Sequence, residues 1–198
     1  IMDLGKKSKQ APALSGVACA SALLSTLASL ILFALVVGAS SMPLLQAVAV
    51  PLCFGALALL GMAIALFKRH QLPLSFAITQ SQRAFEMSHV LMIAFSISSI
   101  SLLSTWMGFV FGQAGTFVSA VVVGFAEIHA AAVSVSQLVD PAVPVPSLAR
   151  WGILAVLAAS IVSKSALSFI SGGKDYGQKM TGALCIFLVT TALGIAFT

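Results

Sequence analysis

Charged residues leave three long stretches of the chain without any: Gln10 to Phe67, Met87 to Ala126 and Met180 to Thr198. Inside them apolar positions follow one another with few interruptions. A bilayer crossing takes about 20 mainly apolar residues. The first two stretches therefore hold two crossings each and the third holds one. With one more between the third and the second, the pattern predicts six helices, at 14–38, 43–67, 86–108, 114–138, 148–171 and 179–197. Each break has a local cause. Gly38 to Pro43 forms a tight turn, with Pro43 suited to a first helical position. Gly108 to Gly115 carries three glycines. Pro141, Pro144 and Pro146 make an extended linker, and Ser171-Gly-Gly-Lys-Asp-Tyr closes the fifth helix.

Composition turns this pattern into a class. The 198 residues are 60% hydrophobic and 8% charged, with mean hydropathy +1.10, against roughly 25% charged in a soluble domain. Too few charges exist to cover a wetted surface, which excludes a soluble globular enzyme. The chain reads as an all-α, polytopic transmembrane helical bundle forming a single integral-membrane domain over 1–198. The net charge of +5 does not indicate nucleic-acid binding, because the basic residues lie at helix ends rather than in one stripe. Cys19, Cys53 and Cys185 all fall in apolar runs with no CxxC, so neither a disulfide framework nor a zinc site is indicated. The first apolar run exceeds a signal-peptide core.

Six crossings fix an orientation. Lys6, Lys7, Lys9, Lys68, Arg69, Arg83 and Arg150 would share one face, leaving Lys174 and Lys179 on the other. By the positive-inside rule both termini are expected in the cytoplasm. Trp106, Trp151 and Tyr176 fall near predicted helix ends, as interfacial aromatics do. The Lys68–Glu86 connection mixes Pro73, Leu74, Phe76 and Phe85 with polar residues, as a solvated loop or one resting on the membrane surface would. Pro51, inside the second helix, predicts a kink serving either packing or a hinge.

Two charges cannot be placed at a helix end: Glu127 in the fourth helix and Lys164 in the fifth. Each costs about 2.5 kcal/mol or more at mid-bilayer, so such residues are usually paired or face water. If the two helices are antiparallel neighbours, the two residues differ in depth by about 7.5 Å, which a lysine side chain spans directly or through water. Thr116, Ala120, Gly124, Glu127, Ala131 and Ser134 form one stripe of the fourth helix, Ser160, Lys164, Ser168 and Ser171 one of the fifth, and Ser98, Ser101 and Thr105 one of the third. Such stripes are either packing seams or the wall of a polar cavity. Together with Glu127 and Lys164 they favour the cavity. His129 stands about 200° from Glu127 on a continuous helix and shares its face only if the helix breaks between Gly124 and His129, as helices at transporter ion sites do. It is either a packing histidine or a ligand and proton carrier. One Glu and one His fall short of a metal centre. No GxSxG, HExxH or P-loop occurs, so no catalytic residue, metal or cofactor is expected, and the chain does not read as an enzyme.

The run from Gly112 to Leu138, with Gly124, Glu127, His129 and Ser134 at its centre, resembles the C-terminal integral-membrane domain of unknown function of bacterial MgtC/SapB-type proteins. That domain has a glycine, an acid-x-acid pair and a small-residue run leading to serine. The likeness continues at Ala158 to Lys164 and Ser171-Gly-Gly173, where the family has a polar residue, a lysine four positions on, and a glycine pair. His129 replaces the second acid, Ser160 stands where asparagine is common, and the first helix lacks the family's arginine. The resemblance implies a bacterial inner-membrane protein connected with magnesium homeostasis or ion transport. It also implies either half of a longer protein or a half that pairs with a second copy. Gly16 to Ser25 faintly echoes Gly124 to Ser134, as a three-plus-three inverted repeat would. The function expected is an inner-membrane transporter or channel-like permease for an ion or small solute. Glu127, Lys164, His129, Thr116, Ser134, Ser160, Ser168 and Gly124 would form its path, with the lipid bilayer and an unidentified solute as partners. The alternative is a non-transporting membrane protein that assembles with or regulates a partner.

Overall fold

The computed structural model describes residues 4–5, 8–9, 15–69, 87–140 and 143–197. Among them there are helices and no strands. These are α1 (Ser15–Ser40), α2 (Met42–Arg69), α3 (Met87–Ala126), α4 (Ile128–Ser136) and α5 (Ser147–Ala196). Two of them are interrupted where glycine takes up a positive φ, +62° at Gly112 and +76° at Gly173. Side chains rarely adopt that region, so glycine marks both reversals. Each divides its helix: α3a (87–111) from α3b (113–126), and α5a (147–172) from α5b (174–196). The glycine clusters predicted to end the third and fifth helices do so. The Lys68–Glu86 connection lies almost wholly outside the described residues.

Among the described residues, length and composition qualify three helices to cross a membrane: α1, α2 over Met42–Lys68, and α5, whose 50 residues are shared by its two arms. Large side chains left exposed, such as Leu35, Leu57, Phe54 and Ile170, coat the outside with apolar surface suited to lipid. Arms joined by a tight turn are antiparallel. α1 and α2 meet at a turn where Ser41 is non-helical and its Oγ accepts the Leu44 amide as an N-cap (3.4 Å). α2 and α5b run antiparallel, with Gly194 against Pro51 and Gly55 against Phe187 and Thr191. A Cβ at 194 would lie 2.8 Å from the Pro51 Cα. α2 stays helical through Pro51, so this proline serves a close helix contact.

The fourth predicted crossing is not one. α3b ends at Ala126, Glu127 is extended (φ −147°, ψ 108°), and α4 starts again at Ile128. A Cβ at Gly152 on α5a would touch Val135 Cγ1 at 3.1 Å and Phe117 Cε2 at 3.6 Å. On a continuous helix those two residues would sit about 27 Å apart. The chain therefore folds back at Glu127, and α3b and α4 form a re-entrant hairpin with that residue at its tip. Arms of 14 and 9 residues are each too short to cross.

This hairpin changes the topology. Lys179 Nζ donates to Ser15 Oγ at 3.3 Å, and Gly5 packs on Ser171 and Gly172. The start of α1 and the α5a–α5b turn thus lie at the same end of the bundle, and the end of α5b lies at the other. The fourth segment returns to the side it came from, so the start of α1 and the end of α5b lie at opposite ends of the bundle. Trp106 and Trp151 are exposed (58% and 48%) near the ends of their arms, as interfacial aromatics should be. Tyr176 is fully buried and belongs to the packing instead. Gly16 to Ser25 is continuous helix while Gly124 to Ser134 is broken, so the two echoing segments differ in backbone.

Candidate functional site: the cleft at the hairpin tip

Gly124 places the hairpin. A Cβ there would lie 3.2 Å from the Val156 carbonyl oxygen and 3.3 Å from its Cα, so the absent side chain lets α3b lie directly on the backbone of α5a. Phe117 facing Gly152 and Gly124 facing Val156 make these two arms parallel. Sequence spacing assumed them antiparallel, with Glu127 about three turns from the end of a straight helix. The reversal brings Glu127 to the depth of Lys164 by a different route.

At the tip, Glu127 is the N-cap of α4. Its Oε2 accepts the Ala130 amide, and its Oε1 lies 2.7 Å from His129 Nδ1. The break supplies the condition under which residues 127 and 129 face each other, since an extended residue removes the 200° separation. Both side chains keep partial exposure, 21% for Glu127 and 26% for His129. The second ring nitrogen of His129, Nε2, is buried without a hydrogen-bond partner.

In front of the tip is a cleft of about 320 Å³. Its wall includes Gly124, Glu127 and His129 from the hairpin, Ser160, Ser163 and Lys164 from α5a, and Ser29 from α1. Three serines, Glu127, His129 and Lys164 make this wall polar, unlike the grooves between α1 and α2, whose lining is apolar apart from Lys68. Glu127 and Lys164 share this cleft but form no direct ion pair: among the described residues, the acid's salt-bridge partner is His129. A second void of about 20 Å³ borders the same Ser29, Ile128, Ser160 and Lys164 and continues inward to Thr26, Leu59 and Phe187. It is large enough for a water.

Five of the eight residues expected on the path line the cleft: Gly124, Glu127, His129, Ser160 and Lys164. Thr116, Ser134 and Ser168 do not. All three are buried, and their hydroxyls donate to carbonyls of their own helices, those of Gly112 (3.3 Å), Ala130 (3.2 Å) and Ser165 (2.8 Å). The stripe from Thr116 to Ser134 is folded in two at Glu127, and its small residues Ala120 and Ala131 are fully buried. Ser98 and Thr105 of the third stripe are exposed, and the Ser101 side chain lies outside the described residues. Sequence reasoning missed Ser29 and Ser163. Ser163 adjoins Lys164, a signal that was available. Ser29 reaches the site only through the packing of α1. No three His, Cys, Asp or Glu side chains gather at one place among the described residues.

An apolar all-helical bundle with a re-entrant hairpin, a hydrogen-bonded Glu–His pair at its tip and a polar cleft before it defines a class of polytopic membrane protein. The chain belongs to the family described as a domain of unknown function, DUF4010, whose match covers residues 1–172. It takes in everything from the start of the chain through α5a, so the whole hairpin and cleft-lining set lies inside it. No curated protein and no solved structure matches the chain.

Proposed function

We propose that this chain is a permease or channel-like domain of a bacterial inner membrane, and that the hairpin-tip cleft is where an ion or small solute is held. One observation carries the reading: a helix interrupted inside the bundle presents Glu127 and His129 to a cleft that also contains Lys164. Interrupted helices expose backbone groups that are tolerated at membrane depth only inside protein or beside water, and solute sites in transporters are built from them. Intramembrane ionisable residues mark ion pathways for the same reason. The likeness to MgtC/SapB-type proteins agrees with a role in ion homeostasis.

Orientation follows from the topology described above. Lys9, Lys68, Arg69, Lys174 and Lys179 belong to the end that holds the start of α1. Among the described residues this end therefore claims five of the seven basic residues. Arg150 opens α5a at the other end. The positive-inside rule then puts the start of α1 in the cytoplasm and the end of α5b across the membrane.

The test uses single cysteines in a protein lacking Cys19, Cys53 and Cys185, treated with a membrane-impermeant thiol reagent. Cysteines at Glu127 and Ser163 should react, and those at buried Ala120 and Ser134 should not. Protection at 127 and 163 in a folded protein would overturn the reading. It would favour the alternative, a partner-assembling membrane protein, in which Glu127 only caps α4. The engagement of both its carboxylate oxygens, by His129 and by the Ala130 amide, is what that alternative has in its favour.

A further inference from the structure

We infer that the cleft selects an anion with several acceptor oxygens, a small oxyanion or carboxylate, held by Lys164. The inference rests on the permease reading and adds the charge of its solute. Three groups in the cleft can carry charge: Glu127, His129 and Lys164. The Glu127 carboxylate is committed within the hairpin, one oxygen to His129 and the other to the Ala130 amide. No carboxylate pairs with Lys164 among the described residues, although an ammonium drawn from water demands compensation.

What surrounds it consists largely of donors. Ser160 and Ser163 bring hydroxyls to the wall, whereas the Ser29 hydroxyl donates to the Ser25 carbonyl at 3.1 Å and adds only its oxygen. The first turn of α4 opens there, and its cap engages the Ala130 amide, leaving those of Ile128 and His129 as first-turn donors without an intrahelical acceptor. An ammonium, hydroxyls and helix-start amides together complement a multi-oxygen anion. A metal cation would meet the unpaired ammonium of Lys164 and a carboxylate already engaged. A cleft of about 320 Å³ is several times the roughly 30 Å³ share of one water. It therefore admits an oxyanion with part of its hydration shell, or a short carboxylate.

The experiment reconstitutes the full chain in proteoliposomes and follows uptake of labelled acetate, sulfate and inorganic phosphate, with labelled rubidium and magnesium as cation arms. At least one anion should be taken up, and which one separates a carboxylate from an oxyanion solute. K164Q should cut that uptake by about tenfold or more, since a charge-assisted contact is lost, while K164R retains most of it. The S160A/S163A variant should lower uptake several-fold and serves as the measure if K164Q does not fold. Anion uptake unchanged in folded K164Q would overturn the inference. So would uptake of rubidium or magnesium alone, sensitive to E127Q and not to K164Q, although the permease reading would survive it. Absence of uptake in every arm would overturn both.

Discussion

Folding the fourth segment back at Glu127 makes a distance prediction that differs by more than a factor of two from a straight crossing. Val135 and Phe117 both touch the space above Gly152, at 3.1 and 3.6 Å from one point, so the tips of their side chains lie within about 7 Å of each other. Eighteen residues of unbroken helix would hold their backbones about 27 Å apart. The perturbation is a pair of cysteines at 117 and 135 in a background free of Cys19, Cys53 and Cys185, treated in native membranes with a short bifunctional thiol reagent. A 117–121 pair, one helical turn apart, is the positive control. The 117–135 pair should link with an efficiency comparable to the control, and the linked chain should migrate as a compact monomer. Spin labels at the same positions should report a separation far shorter than ~27 Å. A 117–135 pair that fails to link while the control succeeds, together with a long spin-label distance, would refute the re-entrant hairpin. The topology derived from it would then fall as well.

Three further outcomes follow from the same geometry. Replacing Glu127 with Ala removes the cap of α4 and should cost the hairpin about 1 kcal/mol, read as a fall in 117–135 linking efficiency and a lower unfolding midpoint in detergent. Gly124→Leu would drive a side chain into the Val156 backbone, where even a Cβ lies 3.2 Å from the carbonyl oxygen. It should destabilise by roughly 1–3 kcal/mol or more, while Gly182→Ala, at a position with no neighbour within 4 Å, should leave the unfolding midpoint almost unchanged. Cysteines at Lys9 and Gln178 should be labelled from the same side of the membrane and one at Asp140 from the opposite side. Labelling of Gln178 and Asp140 from one side would contradict the arrangement of ends given by the Lys179–Ser15 contact.

Much of the architecture is legible in the amino-acid order. Too few charges to cover a wetted surface dictate a membrane bundle, and glycines at 112 and 173 mark reversals because only glycine takes the positive φ found there. Glu127 and Lys164 stand out as site residues because an ionisable group in an apolar run is costly wherever the run lies in the bilayer. The direction of the fourth segment is not legible. A crossing and a hairpin of two short arms use the same number of apolar residues. The reversal depends on one extended residue with no glycine or proline beside it, in a sequence of small residues that suits either state. Hydropathy measures how much chain is in the membrane and not which way it runs. The tertiary structure decides that, through the packing of Phe117 and Val135 on Gly152 and of Gly124 on Val156, contacts between residues far apart in the chain. The same packing selects which hydroxyls face the cleft. A hydroxyl side chain on a helix satisfies itself equally well by donating to its own backbone, as Thr116, Ser134 and Ser168 do, and only the neighbouring helices determine which of them stay open to a solute.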